Sequence, residues 1–149
     1  MSRAAALPYD PQVVDRVIAE RRHLDGALMP VLHGVQEALG WVPDRAVAQI
    51  AEALYLSRAE VHGVLTYYHH FRRQPAEGPV LQVCRAESCR SVGAERLLKQ
   101  AQAAGGCTVE AVYCLGLCAM SPAVMLEGRP HARMTSAKLV DLLSEVAEA

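Results

Sequence analysis

The sequence predicts an α+β chain in two parts, a small helical bundle followed by an α/β layer domain, and three observations carry that prediction. Before about residue 74 the apolar residues recur at helical spacing. The segment RRQPAEGP at 72–79, with its charges, two prolines and a glycine, then reads as a linker. Beyond it, short apolar runs alternate with helical ones, the order expected of helices packed on a small mixed sheet. The helical bundle is placed at 1–74 and the α/β domain at 75–149. At 149 residues, 52% hydrophobic and 21% charged, the chain can bury a real core in one domain or in two small ones.

Each element follows from local chemistry. Asp10-Pro11 reads as an N-cap with proline at the first helical position, leading into Val13, Val14, Val17 and Ile18. Leu28, Val31, Leu32, Val35 and Leu39 form one apolar stripe, stopped by Gly40, with Pro30 expected in the first turn or at a kink. A third helix is expected from Asp44 to Leu54. Ser57 and Glu60 make a capping box that opens a fourth helix through Val61, Val64, Leu65 and Tyr68. After the linker, VLQVC is a strand ending at Cys84, and Ala94, Leu97, Leu98 and Ala101 mark a helix ended by Gly105-Gly106. TVEAVYC alternates as a strand ending at Cys114, and AVMLEGRPHARM holds two short strands around Glu127-Gly128. Thr135 caps a last helix with Leu139, Leu142, Leu143 and Val146 on one face.

Several function classes drop out on composition. A net charge of −1 with scattered basic residues leaves little counterion release to drive nucleic-acid binding. No run reaches the roughly 18–20 unbroken apolar residues of a membrane span. The first residues lack an apolar signal core, so a cytoplasmic location is expected. In a reducing compartment, and with an odd count of five, the cysteines argue for metal or redox chemistry rather than a disulfide framework.

Four of those cysteines form two close pairs, Cys84 with Cys89 and Cys114 with Cys118, spaced C-x4-C and C-x3-C. Each pair begins where a predicted strand ends. Parallel strands joined by a helix put those ends at one sheet edge, so two thiol-bearing loops can meet over one site. Zinc sites and thioredoxin-type dithiols favour C-x2-C turns, and a dithiol needs only one pair. A [2Fe–2S] cluster wants two pairs on two loops and tolerates a four-residue gap. The spacing therefore favours [2Fe–2S], with structural zinc and dithiol chemistry as the alternatives. Gly116, Ser88 and Gly93 are small residues that let backbone N–H groups approach sulfur. Ala119, Met120 and Pro122 are expected to form an apolar, dry wall.

The stretches ALMPVLHGVQEALGWVPDRAV, SRAEVHGVLTYYHHF, VCRAESCRSVGAERLL and VYCLGLCAMSPAVMLEG occur in this order. Together they resemble the 24-kDa-type subunit of NADH:quinone oxidoreductase, over residues 13 to 147. That family includes the gamma subunit of NAD-dependent formate dehydrogenases and a matching subunit of NAD-reducing hydrogenases. The resemblance implies a helical bundle followed by a thioredoxin-like domain holding one [2Fe–2S] cluster, with Cys84, Cys89, Cys114 and Cys118 as ligands. It implies an electron-transfer subunit without a catalytic site of its own, matching the lack of a nucleotide loop, P-loop or triad motif. Its partners would be a flavin- and NAD-binding subunit and, through it, a larger catalytic iron–sulfur subunit. The helical half and the linker are expected to dock it there. The loop CRAESC looks most like the formate dehydrogenase gamma subunits. A zinc-stabilised or dithiol adaptor is the rival from another class.

Other residues receive plainer readings. Cys107 is expected to be a small buried hydrophobe. His69 and His70 read as surface residues at the end of the fourth helix. His33 and His62, each before a glycine, suggest close helix packing, and Trp41 caps the bundle. Glu87 is a solvated loop residue, Met120 packs in the pocket, and Arg21-Arg22 is a solvated face.

Overall fold

A computed structural model of the chain describes residues 8–147. It divides into two compact units, 1–76 and 77–149.

The first unit is built of four helices: α1 (Pro11–Arg21), α2 (Leu28–Leu39), α3 (Asp44–Ala53) and α4 (Arg58–Tyr67). Asp10 caps α1 by accepting from the Gln12 N–H, and Pro11 stands at the first position. Gly40 ends α2 at φ +83°, a left-handed conformation that glycine adopts without strain. Pro30 falls in the first turn of α2, where its missing N–H costs nothing. The Ser57–Glu60 capping box forms in both directions at the start of α4. The core gathers Val14, Val17, Ile18, Val31, Leu32, Val35, Leu39, Ile50, Val61 and Leu65. Each fully buried aliphatic side chain of this kind contributes about 1.5–3 kcal/mol of transfer free energy.

Three expectations need correcting here. Tyr68 lies beyond the end of α4 in extended backbone, and its side chain is exposed rather than on the buried stripe. Arg21 is not free in solvent: it donates to the Pro30 carbonyl and pairs with Glu37. Gly34 brings α1 and α2 together, since a Cβ there would overlap Val17 and the Arg21 guanidinium; Gly63 has open space, so His62 marks no close packing. The linker also begins later than its composition suggests. Buried Gln36 donates to the His70 carbonyl and accepts from the Arg72 N–H, the Val42 N–H donates to the Arg72 carbonyl, and Arg73 forks onto Asp44.

The second unit holds β1 (Val80–Cys84), α5 (Glu87–Ser91), α6 (Ala94–Ala104), β2 (Thr108–Val112), β3 (Val124–Leu126), β4 (Arg129–His131) and α7 (Ser136–Ala147). The sheet order is β2-β1-β3-β4, with β1 and β2 parallel and the other pairs antiparallel. Leu81 and Val83 of β1, Leu97, Leu98 and Ala101 of α6, and Leu139 and Leu142 of α7 share one core. Glu127 and Gly128 both take positive φ, the two-residue turn that matches strand twist. Thr135 caps α7 through the Lys138 N–H. Of the expected apolar face of α7, the Val146 side chain lies outside the described residues.

Topology places the two cysteine segments together. Cys84 ends β1 in register with Val112, the last residue of parallel β2. The chain then arches over that sheet edge and returns down antiparallel β3, where the Ala123 carbonyl accepts from the Cys84 N–H. Two local differences from expectation matter. The first cysteine loop contains a short helix, α5, which five residues are too few to announce by periodicity. Strand β2 stops at Val112, because Cys114 has φ +92° and cannot continue a pleated ladder.

Candidate metal centre

Cys84 closes β1 and Cys89 lies in α5; both are 2% exposed, packed among Ala94, Ala123, Ala86, Val112, Leu115 and Leu117. Cys114 sits in the loop after β2, and Cys118 opens a single 3-10 turn, Cys118–Met120; both are exposed. The Cys114 and Cys118 sulfurs are 3.8 Å apart. Two ligands of one tetrahedral metal with bonds of about 2.3 Å stand about 3.8 Å apart. The Cys89 thiol lies within hydrogen-bonding reach of the Cys84 sulfur. Among the described residues no three His, Cys, Asp or Glu side chains close on a single point. The four thiols come as two pairs.

Their electrostatics couple the pairs. Burial alone pushes the Cys84 thiol up, but the Ala86 N–H, the Cys89 thiol and the Leu115 and Cys114 N–H groups favour its thiolate, and the balance falls below the ordinary thiol range. Cys118 is pushed up, first by its hydrogen bond with Cys114 and the charge there, then by burial and by Cys89 and Cys84. The charges of the neighbouring sulfurs thus oppose ionisation at Cys118, and a cation bound there would relieve that opposition. The Gly116 N–H points at the Cys114 sulfur at 3.4 Å, at a glycine with φ +75°. Arg85 and Glu95 clamp the base of the first loop with two hydrogen bonds of 2.8 and 3.1 Å.

Of Gly116, Ser88 and Gly93, Gly116 alone turns its N–H onto a sulfur; the Gly93 N–H goes to the Arg90 carbonyl and Ser88 acts through its hydroxyl. The part of Ser121 carries no signal in the sequence. The Ser88 and Ser121 hydroxyls are 2.8 Å apart, and both reach the Cys118 carbonyl, at 3.1 and 2.8 Å. Ser121 also lies 3.5 Å from the Cys89 sulfur. A serine before a proline announces only a turn. The expected dry wall is corrected: Ala119 and Met120 are exposed, and the apolar lining comes from Leu115, Leu117 and Ala123. Cys107 stands apart, half-buried against the core of the second unit, with burial raising its thiol. Glu87, His69 and His70 are exposed, while Trp41 packs on the bundle core. His33 packs at a tilt against Phe71, 4.9 Å between centroids. Among the described residues no helix is long and apolar enough to cross a membrane.

An α/β unit that gathers two cysteine pairs at one sheet edge, with backbone N–H groups turned onto sulfur, defines a thiolate-ligated metal protein. Residues 14–147 match the model of the thioredoxin-like [2Fe-2S] ferredoxin family, and the chain belongs to that family. It is 34% identical over 116 residues to an NADH-quinone oxidoreductase subunit of Pseudomonas aeruginosa, covering 70% of each chain. It is 31% identical over 130 residues to NADH-quinone oxidoreductase subunit 2 of Thermus thermophilus, covering 79% of this chain and 72% of the relative. An NADH-quinone oxidoreductase subunit of Escherichia coli is also 31% identical, over 128 residues, with 78% and 77% covered. Among solved structures, an NAD+-reducing [NiFe]-hydrogenase in the H2-reduced state superposes with a TM-score of 0.58 at 20% identity. That likeness covers 98% of this chain and 23% of the hydrogenase chain, so this chain spans about a quarter of it. The chain therefore has the fold of the 24-kDa-type subunits and binds one [2Fe–2S] cluster. The donor set fits that group: four thiols in two pairs, an apolar lining and N–H donors at sulfur. Zinc and dithiol chemistry give way to it.

Proposed function

We propose that Cys84, Cys89, Cys114 and Cys118 are the four cluster ligands, one iron to each pair, and that the chain carries single electrons between this cluster and the flavin of a larger NAD-binding partner subunit. The pairing of the four thiols at the β1/β2 edge is the observation that supports it. When bound, the cluster takes up and returns one electron at a time. The chain's own residues ligate it, shield its inner side and supply the N–H groups that temper its negative charge. In this reading residues 75–149 bear the cluster and the bundle, 1–74, docks on the partner. The exposed Tyr55, Tyr67 and Tyr68 of the bundle suit such a contact.

The parent complex is an NAD-dependent oxidoreductase of the kinds named above. Within that class the loop CRAESC supports a formate dehydrogenase gamma subunit, although none of the relatives named above is one. The chain would be cytoplasmic.

Absorption and low-temperature EPR before and after dithionite, with iron and acid-labile sulfide counted, test the ligand assignment. About two irons per chain and a reduced spin-1/2 signal are expected for the unaltered protein and for Cys107→Ser. Cys84→Ser and Cys118→Ser should lose the cluster or change its spectrum. Bleaching by Cys107→Ser with an intact Cys84→Ser spectrum would overturn the assignment. Copurified partners assayed with formate, NADH and hydrogen identify the parent complex.

A further inference from the structure

The hydroxyls of Ser88 and Ser121 belong to different cysteine loops and meet over the Cys118 carbonyl. Ser88 sits in α5 one residue before Cys89, and Ser121 follows the turn opened by Cys118. Three oxygens, Ser88 Oγ, Ser121 Oγ and the Cys118 carbonyl, lie within 2.8–3.1 Å of one another. The Cys89 sulfur is the fourth member, 3.5 Å from Ser121 Oγ. Ser121 is half-buried and Cys89 buried, so water competes poorly for these bonds.

Ligation changes which of these groups carries a proton. With Cys89 as a thiol, its S–H can donate to Ser121 Oγ, Ser121 donates to the Cys118 carbonyl, and Ser88 shares its hydrogen between that carbonyl and Ser121 Oγ. A metal-bound Cys89 has no proton and only accepts. Ser88 can then hold the Cys118 carbonyl alone while Ser121 turns its hydrogen to the Cys89 sulfur. Both hydroxyl hydrogens keep an acceptor in either arrangement, so the switch orphans neither donor.

We propose, building on the ligand assignment above, that Ser121 is a positioning residue that donates a hydrogen bond to the Cys89 thiolate and raises the cluster's midpoint potential, while Ser88 locks the two cysteine loops together. A donor at a ligand sulfur stabilises the more negative reduced cluster. Ser88 touches backbone and hydroxyl but no sulfur, so its contribution is to retention of the cluster.

The test is an EPR-monitored redox titration and a timed cluster release to a chelator, run on the full chain. Ser121→Val removes the hydroxyl and Ser121→Thr keeps it at the same side-chain shape. Ser121→Val should hold about two irons, titrate at a more negative midpoint and release its cluster about tenfold faster, with Ser121→Thr close to the unaltered protein. Ser88→Ala should speed release but leave the midpoint in place. Equal midpoints for Ser121→Thr and Ser121→Val would overturn the hydroxyl's role. Full iron content in Cys89→Ala would instead sink the ligand assignment, and this inference with it.

Discussion

The two cysteine pairs sit on opposite kinds of structure. Cys84 and Cys89 lie on a strand end and a short helix, buried, with Arg85 and Glu95 clamping the loop beneath them. Cys114 and Cys118 ride on an exposed arch, and residues 111–126, AVYCLGLCAMSPAVML, carry no charge at all. The inner pair is fixed by regular hydrogen bonding and a packed core. The outer pair is shaped by positive-φ residues, Cys114 at +92° and Gly116 at +75°, and faces outward with Tyr113 and Met120 exposed beside it. A cluster held between them would be shielded on one side and open on the other. An uncharged rim lets a partner approach the open side without a desolvation cost for ions.

The sharpest way to break this contrast is to replace one proposed ligand in each pair. Cys84→Ser should abolish the cluster, because a shorter oxygen–metal bond needs a backbone shift that the packed, hydrogen-bonded end of β1 resists. Cys118→Ser, on the exposed arch, should retain a perturbed cluster in part. Iron counts and EPR line shape decide, and equal loss from both variants would erase the distinction.

Next in size is the foundation of the inner pair. Leu97→Ala empties a core position of α6 beneath β1 and should cost about 2–5 kcal/mol, read by denaturant unfolding. Faster cluster release should accompany it.

A smaller effect is expected from Gly116→Ala in the arch. A Cβ there meets nothing within 4 Å, so only the strain of φ +75° counts, about 1 kcal/mol. Thermal unfolding and the EPR signal should both move little, since alanine keeps the N–H that reaches the Cys114 sulfur.

The smallest effect is a pH dependence under the inner loop. The hydrogen bond from Arg85 holds the Glu95 carboxyl below its ordinary value of 4.5, against burial and with further help from nearby cations. A carboxyl lowered on folding stabilises the fold above its unfolded pKa and loses that contribution as pH falls through the folded one. The melting-temperature gap between the unaltered protein and Glu95→Gln should therefore be open at pH 7 and close as pH drops below 4.5. Both side chains are partly exposed, so the gap is small and shrinks with salt.

Much of this architecture can be read in the residues. Asp10-Pro11, Gly40, Ser57 with Glu60, Glu127-Gly128 and Thr135 are local signals, and each acts where it stands because capping and turn formation depend on neighbours in sequence. Helix α5 gives no such signal, because ESCRS is too short to carry a period. The early part of the linker looks mobile by composition, yet Gln36 and Asp44, more than twenty residues away, hold it.

The sequence by itself determined the element order, the two cysteine pairs and the chemistry they suit, since spacing and residue type are local properties. Only the tertiary structure decided which pair is inside and which outside, and that Ser121 reaches Cys89 across thirty-two positions. Burial and long-range hydrogen bonds belong to the packed chain: they exist once β1, β2 and β3 have brought distant segments to one edge, and no local pattern records them.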